Sequence, residues 1–145
     1  MSTVRDLLVK KGSGVLTTGR DSTVQDAAIL MNEHKVGALV VLEAGRIAGM
    51  FTERDVLRRV VGQLRDPAHT TVAEVMTTEV VCCRPETSLE EARGSMMNRR
   101  IRHLPVVDGG QRLVGLISIG DLNAHQATAH EQTIHLLHEY LYGRV

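Results

Sequence analysis

Apolar residues along this chain follow two rhythms, and both occur twice. Val24, Ala27, Ala28 and Met31 recur at helical spacing, as do Leu89, Ala92 and Met96. They predict two amphipathic helices. Each has a hydroxyl residue three positions before a Gln or Glu: Ser22 with Gln25, and Thr87 with Glu90. Both pairs predict a capping box, in which the hydroxyl accepts one unpaired helix N–H and the longer side chain reaches back to another. After each helix come two short apolar runs separated by a glycine-containing turn. The first runs are residues 37–42 and 47–51, around Glu43-Ala44-Gly45-Arg46, and the second are 103–107 and 113–117, around 108–112. They predict two β-hairpins. A further helix is expected after each hairpin, from Asp55 to Val61 and from Asp121 onward.

The chain is therefore an internal repeat with a period of about 65 residues. Each copy reads strand, helix, strand, strand, helix. One copy is too small to cover both faces of its sheet, whereas two packed sheet to sheet can do so. The fold expected is α+β, with two βαββα repeats forming one pseudo-two-fold module and a C-terminal helix. The division expected is 1–66 for the first repeat with an N-terminal helix, 67–126 for the second and 127–145 for the tail. Residues 62–74, holding Gly62, Asp66 and Pro67, read as a linker. Met31, Met96 and Met97 read as core packing, and His34 and His69 as exposed helix-end and linker residues.

Composition narrows the function. Aromatic residues are 2% of the chain, and 17 basic residues balance 17 acidic ones. Neither an electrostatic excess nor stacking side chains are present for nucleic acid. No apolar run approaches the roughly 18 residues of a membrane span. The start of the chain lacks a signal-peptide apolar core. Cys82 and Cys83 are adjacent and lack zinc-site spacing, and two reduced thiols fit a cytoplasmic protein.

The chemistry sits where each hairpin ends. Gly49-Met50-Phe51-Thr52-Glu53-Arg54-Asp55 and Gly115-Leu116-Ile117-Ser118-Ile119-Gly120-Asp121 share the order glycine, two apolar residues, hydroxyl, two residues, aspartate. A hydroxyl at a helix start lies beside free N–H groups that favour phosphate. A carboxylate three residues on can accept hydrogen bonds from a vicinal diol. Each segment also reads as a plain helix cap. Both occur at the same repeat position, behind an apolar strand and a glycine.

These two segments, and Arg102-His103-Leu104-Pro105-Val106-Val107, resemble cystathionine-β-synthase (CBS) domains over about residues 10–126. The chain is similar to stand-alone bacterial CBS-pair proteins. The resemblance implies a Bateman module that binds an adenosine ligand (AMP, ADP, ATP, NAD(H) or S-adenosylmethionine) between the repeats. It implies that Asp55 and Asp121 hold ribose, that Thr52 and Ser118 lie near phosphate, and that Arg54 grips phosphate. Gly120, in the place of Arg54, implies weaker phosphate binding by the second copy. Leu16 and Val36 would form the adenine slot near Asp121, and Val81 and Ile101 the slot near Asp55. Arg102 and His103 stand where phosphate-contacting residues are expected. Val40 departs from the pattern, because proline is usual there, as at Pro105. A homodimer formed through the repeat-ending helices and a separate regulated protein are the partners implied.

Other readings stay open. The tail places Glu131, His135, His138 and Glu139 on one helix face. This reads as a solvated face, with no metal expected, or as a zinc site. The basic run Arg99, Arg100 and Arg102 reads as a solvated surface beside the expected cleft. Neither a P-loop nor a G-x-S-x-G segment occurs, so an enzyme is disfavoured. A protein-interaction or stress scaffold with vestigial clefts is the remaining alternative.

Overall fold

The structure is a computed structural model that describes residues 2–126. Its elements run α1 (Val4–Lys11), β1 (Thr17–Gly19), α2 (Val24–His34), β2 (Ala38–Glu43), β3 (Arg46–Thr52), α3 (Glu53–Asp55), α4 (Val72–Val75), α5 (Leu89–Arg99), β4 (His103–Val107) and β5 (Leu113–Ser118). Residues 119–126 form a last helix, α6. Helix α3 continues without a break as a π-helical turn, Val56–Val60, and a 3-10 turn, Val61–Gln63.

The mixed α+β architecture is the one expected. In the first sheet β1 runs parallel to β2, and β2 pairs antiparallel with β3 from Ala38↔Thr52 to Glu43↔Arg46. In the second, β4 pairs antiparallel with β5 from His103↔Ser118 to Val107↔Leu113. Both hairpins carry a register shift at the same repeat position, between Val41 and Leu42 and between Val106 and Val107. The first strand of the second repeat is reduced to one bridge, Cys83↔Val106. Proline explains part of this: the Val40 N–H donates to the Leu16 carbonyl, and Pro105 at the matching position has no N–H to give.

Strand β2 is buried on both faces. Leu39 and Val41 join Phe51 in a cluster beneath α2, whereas Ala38, Val40 and Met50 face the other repeat, against Val80, Leu113 and Leu116. A doubly buried strand loses its polar alternation, which is why these strands read as continuous apolar runs.

The helix leading into each repeat is docked on the other repeat. Val4 and Leu7 of α1 are buried with Met96, Leu104 and Ile117. Val72 and Val75 of α4 are buried with Val24, Leu39 and Phe51. Matching backbone bonds hold both: Val4 N–H to the Thr87 carbonyl and Val72 N–H to the Ser22 carbonyl, each 2.8 Å. The motif glycines make this exchange possible. A Cβ on Gly49 would lie 2.7 Å from Met76 Sδ and from the Thr77 carbonyl, and one on Gly115 would lie 2.7 Å from a Leu8 methyl.

Two expectations need correction, for the helix caps and for Met97. The helix caps fall one residue later than Ser22 and Thr87: Thr23 Oγ1 accepts from Asp26 N–H and Ser88 Oγ from Glu91 N–H, both at 3.1 Å. Neighbouring hydroxyls left the register ambiguous in the sequence. The 62–74 segment also contains the start of α4 and a buried Thr70. Met97 is 68% exposed, whereas Met31 and Met96 are buried in the core as expected. His34 is exposed as expected, but it also lines a cleft described below. The predicted tail helix, with His130, Glu131, His135, His138 and Glu139, lies outside the described residues.

Candidate functional site

Two clefts open between the repeats, one beside each motif aspartate. The first, of about 240 Å³, is lined by Thr52, Arg54 and Asp55 from the first repeat and by Val81, Ile101, Arg102 and His103 from the second. The second, of about 460 Å³, is lined by Leu16 and Val36 from the first repeat and by His103, Ser118 and Asp121 from the second. Each of the eleven residues expected at a ligand site thus lines one of the two clefts. His103 and Gly37 line both.

Local structure explains the placement. Lys35 and Arg100 end α2 and α5 in the left-handed conformation, with φ of 53° and 55°. For residues with a Cβ this backbone is unfavourable. It turns the chain sharply, so that the next residues, Val36 and Ile101, enter the clefts. At the opposite wall each motif forms the helix cap that its spacing allows. Thr52 N–H donates to Asp55 Oδ2 at 2.9 Å, and Ser118 N–H donates to Asp121 Oδ2 at 2.8 Å. The cap therefore aims each carboxylate and leaves it further acceptor capacity, so the capping and binding readings are compatible.

The two carboxylates differ electrostatically. Asp55 is 6% exposed, and burial pushes its carboxyl above the ordinary range against the Thr52 N–H and the Arg59 guanidinium. Arg59 stands 3.7 Å away and is anchored to the Val75 and Met76 carbonyls. Asp121 also pays desolvation, but a hydrogen bond from Lys11 and the Ser118 N–H outweigh it and hold the carboxyl below the ordinary range. His103 is held below its usual value by burial first and by Lys11 second, against Glu53 and Asp121.

Cations line both clefts beyond those read from the sequence. The first cleft has Arg54, Arg58, Arg59, Arg100 and Arg102 against Glu53, Asp55 and Glu79. Arg54 Nη1 donates to the Arg100 carbonyl at 3.0 Å and so spans the two repeats. Arg58 and Arg59 follow the motif on the same helical run, a signal that was available in the sequence. The second cleft lacks a counterpart of Arg54 but holds Lys11, His34 and Lys35. Lys11 could not be assigned from sequence, because only the exchange of α1 brings it there. Among the described residues, no cluster of His, Cys, Asp and Glu suits a metal ion. No helix among them is long and apolar enough to cross a membrane. Burial pushes the Cys83 thiol up to about 12 and raises Cys82 as well, which keeps both protonated.

A paired-repeat module with a ligand-sized cleft beside each repeat's end motif is the class that this fold defines. The chain belongs to the CBS domain family, which it matches twice, over residues 4–62 and 72–127. It is 44% identical over 126 residues to the CBS domain-containing protein YhcV of Bacillus subtilis, covering 87% of this chain and 86% of that one. A solved CBS-domain protein from Burkholderia ambifaria superposes with a TM-score of 0.84 at 42% identity, covering 88% of this chain and 95% of that one. Hypoxic Response Protein I, solved with two coordinated zinc ions, superposes at 0.72 with 30% identity, covering 86% and 99%. The CBS pair of protein MJ0100, solved with 5′-methylthioadenosine and S-adenosyl-L-methionine, has a TM-score of 0.80 over 89% and 98% of the two chains. Its 22% identity supports the fold alone.

Proposed function

We propose that this chain is an adenine-nucleotide sensor that regulates a separate protein and catalyses no reaction of its own. One observation carries the reading: the first cleft joins a buried carboxylate, an apolar slot and five arginines, drawn from both repeats. A flat base fits between Val81 and Ile101, a ribose diol fits Asp55, and phosphates fit the arginine rim, where guanidinium grips them bidentately. The arginines favour AMP, ATP or NAD(H) over a cationic sulfonium such as S-adenosylmethionine. At about 240 Å³ the cleft is smaller than most drug-sized pockets, so the phosphates would lie in its open mouth.

A ligand there touches both repeats. It favours whichever relative arrangement binds it more tightly, and it shifts the equilibrium only by that difference. The chain is proposed to act as a homodimer in the cytoplasm. Exposed apolar side chains on the helical run after β3 support the dimer, and the unpaired protonated thiols support the compartment. Mass spectrometry of small molecules released by denaturing the purified protein tests the reading, followed by calorimetry with AMP, ATP, NADH and S-adenosylmethionine. A stoichiometric adenine nucleotide is the expected result. No released ligand and no heat with any of the four would sink it in favour of a scaffold.

A further inference from the structure

The second cleft matches the first in its residue types, yet one oxygen of its carboxylate is already engaged by a cation. Lys11 Nζ donates to Asp121 Oδ2 and to the Leu116 carbonyl, at 2.5 Å each. The ion pair is only partly exposed, at 34% for the lysine side chain and 24% for the aspartate. Lys11 is the last residue of α1, and that helix is fixed at its other end. Val4 and Leu7 are buried in the second repeat's core, and the N–H groups of Val4 and Arg5 donate to the Thr87 and Pro85 carbonyls. The lysine therefore reaches Asp121 from an anchored base. Asp55 has no comparable occupant, since the nearest cation, Arg59, stands 3.7 Å off and is tied to two carbonyls.

We propose that Lys11 closes the second cleft by occupying the carboxylate that a ligand's diol would need, so that each chain takes one adenine ligand, in the first cleft. A charge-assisted bond inside a partly dry cleft outcompetes a neutral hydroxyl for the same oxygen. A diol that grips both carboxylate oxygens needs Oδ2 as well as Oδ1, so it could hold Asp121 fully only by displacing Lys11 from its two acceptors. The inference rests on the nucleotide reading above and adds which cleft is used and what selects it.

Calorimetry with AMP and with ATP on the full chain tests it, using wild type, Lys11→Met and Lys11→Arg. The expected stoichiometry is one per chain for wild type and for Lys11→Arg, which keeps the bond. Two per chain are expected for Lys11→Met, which keeps the helix and the apolar stem. Adding Asp55→Ala should weaken binding roughly 10- to 150-fold in the wild-type background and leave one full-affinity site in Lys11→Met, weakened in turn by Asp121→Ala. Two sites in wild type would overturn the proposal, whether Lys11→Met leaves both or loses one by removing a phosphate ligand. One site in Lys11→Met would overturn it as well, with the nucleotide reading intact. No heat from any variant would overturn both.

Discussion

Asp55 carries two duties that pull against each other, and this gives it a testable signature. Its buried carboxylate caps the helix after β3 through the Thr52 N–H and, in the proposed function, accepts the ribose hydroxyls. A hydrogen bond to a charged group contributes about 1.5–3 kcal/mol, so Asp55→Ala should weaken AMP or ATP binding roughly 10- to 150-fold. Burial raises its pKa above the ordinary 3.8. The contribution of this group to folding is then full below 3.8 and is lost as pH rises through the raised value. Binding runs the other way, because only the ionised form accepts both hydroxyls. Affinity should therefore fall on acidification at a higher pH than an ordinary carboxylate would show. Asp55→Asn keeps an acceptor for the Thr52 N–H and removes the buried charge. At neutral pH it should be at least as stable as wild type in urea while losing affinity. A variant that loses stability and keeps its affinity would reduce Asp55 to a helix cap.

Among the elements, the exchanged helices and the glycines beneath them have the most predictable energetics. At Gly49 an added methyl meets the Thr77 carbonyl, which is backbone and hydrogen-bonded to the Met50 N–H at 2.9 Å. At Gly115 it meets only the far end of the Leu8 side chain, which can rotate away. Gly49→Ala should cost about 1–3 kcal/mol, as overpacking does, and Gly115→Ala clearly less, both read from urea midpoints. Equal costs would mean that α1 and α4 are held with equal rigidity. The glycines themselves were legible in the sequence as places of close approach, but what approaches them was not. Hydrophobic periodicity reports which face of an element is buried and not what buries it, so the chain order gave no sign that α1 crosses to the second repeat. For the same reason Lys11 was missed although Asp121 was found. The hairpins and the two motifs were readable because they recur at one period, whereas Leu16, Val36, Val81, Ile101, Arg102 and His103 were placed only by the resemblance to CBS domains. Met97 and the two shifted caps were misread where neighbouring positions offered equivalent side chains and only packing could choose between them.

For the molecule as a whole, assembly has a physical handle in apolar side chains that the single chain leaves in water. Leu57, Val61 and Leu64 follow the first motif at spacings of four and three, and they are 64%, 58% and 95% exposed. An isolated surface leucine is ordinary, whereas a contiguous apolar patch marks an interaction surface. The same run begins at Asp55 and carries Arg58 and Arg59, which line the first cleft. A partner docked on it would therefore sense whether that cleft is filled, and ligand binding and assembly would each change the other's free energy by the same amount. A second copy satisfies this most simply, because a two-fold interface needs only one self-complementary patch. Light scattering at micromolar concentration should give the mass of two 15.9 kDa chains for wild type. The double variant Leu57→Glu, Leu64→Glu should give the mass of one, with unchanged far-ultraviolet dichroism, because neither side chain belongs to the core. If the dimer and the cleft are coupled, that variant should also bind AMP or ATP with altered affinity. A wild-type mass near one chain would remove the dimer and return the patch to a different partner, whose docking would then be the output that the first cleft controls.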